Sequence, residues 1–169
     1  MKVYIDPHES LAIKAATAVE LKIANAISKN GIARIILATG SSQLLFLKAL
    51  RERQIEWKKV IIFHLDEYIG LEESHPASFR YYLRENIIQH ITPKAFYPIN
   101  TDSENLDEVI ENYTQLLEKY PTDIACIGIG ENGHLAFNDP GVADFSDQKS
   151  VKIVALDEHC RRQQYDEGW

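Results

Sequence analysis

Gly31-Ile32-Ala33-Arg34-Ile35-Ile36-Leu37-Ala38-Thr39-Gly40-Ser41-Ser42 is the stretch that decides the fold of this chain. From Ile32 to Ala38 the run is rich in Ile and Leu without polar alternation, the pattern of a parallel strand covered on both faces. Thr39-Gly40-Ser41-Ser42 ends the strand and opens an amphipathic helix from Gln43 to Arg53. Upstream, Leu11, Ala15, Ala18, Val19, Ile23, Ala26 and Ile27 repeat at helical spacing between Ser10 and Lys29, and Asn30-Gly31 stops that helix. A short strand, Val3 to Ile5, is expected before it. Downstream, Val60 to Phe63 repeats the buried-strand pattern and runs into His64-Leu65-Asp66-Glu67. A helix from Ala77 to His90 follows, then an irregular stretch near Pro93 and Pro98, a helix from Glu104 to Lys119 and a third buried strand from Asp123 to Ile129. Gly130 to Gly141 reads as a loop, Val151 to Leu156 as a further strand, and Asp157 to Gln164 as the start of a helix. Strands alternating with helices in this way predict a single α/β domain over residues 1–169. It is a three-layer, mostly parallel, Rossmann-like sheet with helices on both faces.

The chain has 169 residues, with 18 Lys+Arg against 25 Asp+Glu and a formal net charge of −7. That balance argues against a nucleic-acid binder, whose counterion release needs a basic surface, and favours small-molecule chemistry. At 45% hydrophobic and 25% charged residues the composition is that of an ordinary globular domain. No apolar run reaches the roughly 18 residues of a membrane span. The start, Met1 to Glu9, has no long apolar core, so a soluble cytoplasmic protein with no membrane partner is expected. Cys126 and Cys160 are the only cysteines. Two thiols, one inside an apolar run, fit reduced side chains better than a disulfide framework or a four-ligand zinc site.

In folds of this class ligands gather outside the carboxyl ends of the strands. Three segments stand there. In Thr39-Gly40-Ser41-Ser42, glycine lets the backbone approach a ligand, and hydroxyls with free N–H groups at a helix start suit a phosphate; the same residues also suit a plain helix cap. In His64-Leu65-Asp66-Glu67-Tyr68, followed by His75, adjacent carboxylates can include a general base, can hold metal with His64 or His75, or can simply close a strand. Gly128-Ile129-Gly130-Glu131-Asn132-Gly133-His134 has the spacing of a dinucleotide fingerprint, but Phe137-Asn138-Asp139-Pro140-Gly141 breaks the chain where that motif requires a helix. A glycine loop bearing His134 and Asp139 suggests proton transfer, a carboxylate orienting the imidazole, or a histidine that is structural.

Three segments, in order, resemble the glucosamine-6-phosphate deaminase (glucosamine-6-phosphate isomerase) family, which is related to the 6-phosphogluconolactonases. They are Leu37 to Ser42; Phe63 to Leu71 with His75-Pro76-Ala77-Ser78-Phe79; and Gly128 to Pro140. The resemblance implies a deaminating aldose–ketose isomerisation in amino-sugar catabolism. Glucosamine 6-phosphate would become fructose 6-phosphate and ammonia, without cofactor or metal. By similarity Asp66 is the base moving a proton between C2 and C1, His134 shuttles a proton at the ring oxygen, and Asp139 orients it. Thr39, Gly40, Ser41 and Ser42, with Gly133, match the phosphate-binding positions, and Glu67 supports its loop. Asn132 stands among the catalytic positions where well-known members carry an acid; an amide transfers no proton at neutral pH, so that work shifts to His134 or water. Asp139 replaces a glutamate of many members. Family members also continue beyond Gly168-Trp169, through a strand and a phosphate-holding lysine, so a C-terminally truncated domain is expected. Homo-oligomers are common in the family. Two rival readings remain: a 6-phosphogluconolactonase-like hydrolase, which usually has arginine at the position of Tyr68, and a non-catalytic sugar-phosphate-binding module.

Overall fold

Helix α1 (His8–Asn30) turns Ala12, Ala16, Val19, Ile23, Ala26 and Ile27 to the interior, at alternating spacings of three and four that keep them on one face. It stops at Gly31, whose φ of 76° is left-handed and whose N–H donates to the Ile27 carbonyl at 2.8 Å. The chain then enters β1 (Ala33–Leu37), followed by α2 (Leu44–Arg51), β2 (Val60–His64), α3 (Phe79–Asn86), β3 (Ala95–Tyr97), α4 (Leu106–Lys119), β4 (Ile124–Cys126) and α5 (Glu158–Asp166). This computed structural model describes residues 2–130, 133–156 and 158–166.

The four strands form one parallel sheet in the order β3-β2-β1-β4. Alternation along the strands splits the core. Ala33, Ile35 and Leu37 of β1 and Val60 and Ile62 of β2 face α1, α2 and α3. Ile61 and Phe63 meet Tyr113, Leu116 and Leu117 of α4 on the opposite side. Each fully buried aliphatic side chain contributes about 1.5–3 kcal/mol by leaving water. The expected parallel sheet with helices on both faces is present. Arg34 joins the outer strand to its neighbour: its N–H and its guanidinium both reach the Asp123 carboxylate, at 2.8 and 3.3 Å.

Four expectations are corrected. Val3 to Ile5 is not a strand; these residues stand 69%, 60% and 93% exposed, because so short a run meets no sheet edge that would pair with it. Ala95–Tyr97, between Pro93 and Pro98, is a strand, pairing with β2 through Ile61, Ile62 and Phe63. Prolines are tolerated there because β3 lies at the edge of the sheet. Val151 to Leu156 joins no ladder; it faces α4 across an apolar cavity of about 720 Å³, with Val151 packed against the Phe63–Tyr113 cluster. The strand expected from Asp123 to Ile129 is pared to Ile124–Cys126, and Ile127 and Ile129 beyond it are exposed. Cys126 is a free thiol whose pKa burial pushes up to about 12, in keeping with an inert side chain. Among the described residues no helix is long and apolar enough to cross a membrane.

Candidate active site

The strand order reverses between β1 and β4: from β1 the chain moves outward through β2 to β3, then returns to the other side. Such a switch point leaves a crevice between the loops that follow the two strands. Thr39 to Ser42 leave β1 here, Gly128, Ile129, Gly130 and His134 follow β4, and Asp66 arrives from the end of β2. Together they line a polar pocket of about 180 Å³.

Gly40 takes a φ of 108°, available to glycine and disfavoured for any side chain. Its carbonyl accepts from the Tyr82 hydroxyl at 2.8 Å and from the Gln43 N–H at 3.0 Å, which fixes the turn Ser41–Gln43. Neither Gly40 at the head of that turn nor Gln43 at the head of α2 makes a side-chain cap. The hydroxyls of Ser41 and Ser42 belong to exposed residues at the pocket.

Asp66 and Glu67 are neighbours with opposite fates. Glu67 is wholly buried and gathers the start of α3: its carboxylate accepts from the N–H groups of Phe79 and Arg80 at 3.0 and 2.9 Å and from the Ser78 hydroxyl at 3.0 Å. It also lies 3.4 Å from Arg80 Nε, and Arg80 in turn donates to Asp102 at 2.9 Å and to the Leu71 carbonyl. Asp66, one residue earlier, lines the pocket. Burial first, and the adjacent Glu67 charge second, raise its pKa to about 7. A carboxylate so poised accepts and returns a proton near neutrality.

His64 and His75 do not join it. His75 is exposed and accepts from the Ala77 N–H through Nδ1 at 3.1 Å. His64 is buried, and burial together with the nearby Arg80 guanidinium lowers its pKa to about 3, leaving a neutral ring. Among the described residues no three His, Cys, Asp or Glu side chains converge as a metal site would require.

His134 sits on a tight hairpin, bridged from Ile129 to Leu135, in which Gly130 N–H donates to the His134 carbonyl and Gly133 N–H to the Gly130 carbonyl, both at 2.9 Å. Its Nδ1 lies 2.9 Å from Asp139 Oδ1, with the two side chains only 9% and 2% exposed. That pairing fixes the ring and leaves Nε2 as its other polar edge. The ring lies over Gly130, where any Cβ would overlap it. Gly133 does not line the polar pocket; its φ of 84° and its N–H serve the hairpin. Asn132 lies outside the described residues.

Two features had no signal in the sequence. Tyr68 packs on Phe79 and Phe137 with ring centroids 4.8 and 5.8 Å away, so an aromatic contact links the loop of Asp66 to the loop of His134. The Tyr68 hydroxyl also donates to Gln164 of α5 at 2.7 Å, which brings Gln164 to the pocket. Both depend on which distant residues meet, and neither has a spacing that would announce it. Arg161 and Arg162 of the same helix are exposed.

Sheet order and strand-end loops together define an α/β protein with a polar crevice at the switch point of its parallel sheet. The family model for glucosamine-6-phosphate isomerases/6-phosphogluconolactonase matches residues 6–164, and the chain belongs to that family. It is 39% identical over 118 residues to the glucosamine-6-phosphate deaminase of Streptococcus gordonii, covering 70% of this chain and 50% of that protein. To the deaminase of Streptococcus pneumoniae serotype 4 it is 36% identical over 129 residues, 76% of this chain and 54% of the other. It thus spans about half the length of these relatives. The solved structure of a monomeric glucosamine-6-phosphate deaminase superposes with a TM-score of 0.84 at 30% identity, covering 96% of this chain and 68% of that one. A 6-phosphogluconolactonase from Shewanella baltica shares the fold, with a TM-score of 0.68 at 21% identity over 78% of this chain and 57% of its own.

Proposed function

We propose that this chain carries the site for deaminating isomerisation of glucosamine 6-phosphate to fructose 6-phosphate and ammonia. The observation that carries the reading is the placing of Asp66, its pKa raised to about 7, in one pocket with His134 and the Thr39–Ser42 turn. Thr39, Gly40, Ser41 and Ser42 receive the phosphate through backbone N–H groups and hydroxyls, an arrangement suited to an anion at a helix start. His134, held by Asp139, moves a proton at the ring oxygen as the sugar opens. Asp66 takes the proton from C2 of the open aldehyde and returns it to C1, so that the nitrogen is left on C2 as an iminium. Water adds to C2, the C–N bond breaks, and ammonia leaves with the keto sugar. The deaminase names of the sequence relatives support this reading, and Tyr68, where the lactonase branch usually carries arginine, favours it over lactone hydrolysis.

The test is ammonia release from glucosamine 6-phosphate, with glucosamine and 6-phosphogluconolactone beside it. Ammonia is expected from the phosphorylated amino sugar alone, with turnover rising with pH through about 7 as Asp66 ionises. Asp66→Asn is expected to bind fructose 6-phosphate and to lose about 10²–10⁴-fold in turnover. Undiminished turnover in that variant removes Asp66 from the chemistry. Lactone hydrolysis without ammonia gives the site to the hydrolase reading, and sugar-phosphate binding with neither product makes it a binding module.

A further inference from the structure

We propose that Gln164 of α5 is a substrate-binding residue: its side-chain amide donates a hydrogen bond to an oxygen of the bound sugar phosphate, in an orientation set by Tyr68. The inference rests on the sugar-phosphate reading of the pocket and adds a contact from outside the three strand-end loops. Four observations carry it. Gln164 lines the same polar pocket as Ser42, Asp66 and His134. Its Oε1 accepts from the Tyr68 hydroxyl at 2.7 Å, so the acceptor end of the amide is engaged and what the side chain has to offer a ligand is its donor NH2. Tyr68 is anchored: its ring packs against Phe79 and Phe137, which also stack on each other, and its carbonyl accepts from the Thr101 hydroxyl at 2.6 Å. The arginines of α5 are exposed, and among the described side chains of this helix Gln164 lines the crevice.

A neutral amide suits the place. A phosphorylated sugar offers only acceptor oxygens on its phosphate and many on its hydroxyls, whereas Asp66 must stay free of a cation that would pull its pKa down. A rigidly held donor adds orientation without adding charge, and its ordering cost is already met by Tyr68.

The experiment compares the full chain with Gln164→Leu, Tyr68→Phe and the double variant, by titration calorimetry with fructose 6-phosphate, fructose and inorganic phosphate, and by steady-state ammonia release. Gln164→Leu is expected to weaken fructose 6-phosphate about tenfold and to raise KM for glucosamine 6-phosphate similarly. Tyr68→Phe is expected to lose less, and the double variant no more than Gln164→Leu, because Tyr68 acts through the amide. Inorganic phosphate weakened in parallel places the contact on the phosphate; phosphate unaffected places it on a hydroxyl. Should Gln164→Leu fail to fold, Gln164→Glu keeps the acceptor for Tyr68, removes the donor and is expected to bind fructose 6-phosphate more weakly still. Wild-type affinity in a folded Gln164→Leu or Gln164→Glu protein overturns the inference and leaves the deaminase reading standing. A wild-type chain that neither binds fructose 6-phosphate nor releases ammonia overturns both.

Discussion

His64 and Asp66 stand two residues apart at the end of β2, and the same loss of water pushes them in opposite directions. Burial lowers the His64 pKa to about 3 and raises that of Asp66 to about 7, so both favour their neutral forms. Their effects on stability carry opposite signs. The folded chain holds a proton on Asp66 between its ordinary value of 3.8 and about 7, so this group's contribution to stability falls as pH rises through that window. The folded chain refuses a proton on His64 between 6.5 and about 3, so that contribution is lost as pH falls. Asp66→Asn removes the first effect alone. Its urea midpoint is expected above that of the wild type at pH 8, with the gap closing toward pH 4. A gap independent of pH would mean that Asp66 ionises in the fold as it does in water. A gap that closes toward pH 4 shows instead that stability is given up to hold a carboxyl that titrates near neutrality.

At the scale of elements, the position of Asp66 is inherited from α3. Glu67 binds the first N–H groups of that helix and the buried Arg80, so the peptide after Asp66 is tied to the core on the helix side. Glu67→Ala leaves the Arg80 guanidinium buried with only Asp102 and carbonyl partners, and it is expected to cost about 3–5 kcal/mol in urea unfolding. A cost under about 1 kcal/mol would mean that the loop relaxes and that the tie is dispensable. Much of this architecture was legible in the sequence. Unbroken runs such as Val60 to Phe63, buried throughout, and Ile32 to Ala38, buried on one face and half-buried on the other, could be read directly, and the polar crevice lies at their carboxyl ends. What stayed hidden was pairing. Ala95–Tyr97 is a strand only because β2 offers it an edge, whereas Val3 to Ile5 and Val151 to Leu156 have strand-like side chains and no partner backbone. The site shows the same division. That Asp66 and His134 meet at one pocket, with Asp139 beside the imidazole, follows from strand ends that the sequence marks, while the Tyr68–Gln164 contact joins residues 96 apart in the chain.

For the molecule as a whole, the crevice exists because the chain reverses its order of strands between β1 and β4, and three loops from separate parts of the sequence meet there. A ligand that bridges them favours the folded chain over the unfolded one. Fructose 6-phosphate at one hundred times its dissociation constant is expected to stabilise the fold by about 2.7 kcal/mol, read as a rise in melting temperature. Fructose at equal concentration is expected to do little, and an equal rise with both would show that the Thr39–Ser42 turn contributes nothing to binding. The hairpin beneath His134 carries a different consequence. Gly130 is required there by the space the imidazole fills, since a single added carbon would occupy the place of the ring. An atom count of one separates a seated imidazole from a displaced one, so the place of the ring is set as much by what Gly130 lacks as by the carboxylate that holds it.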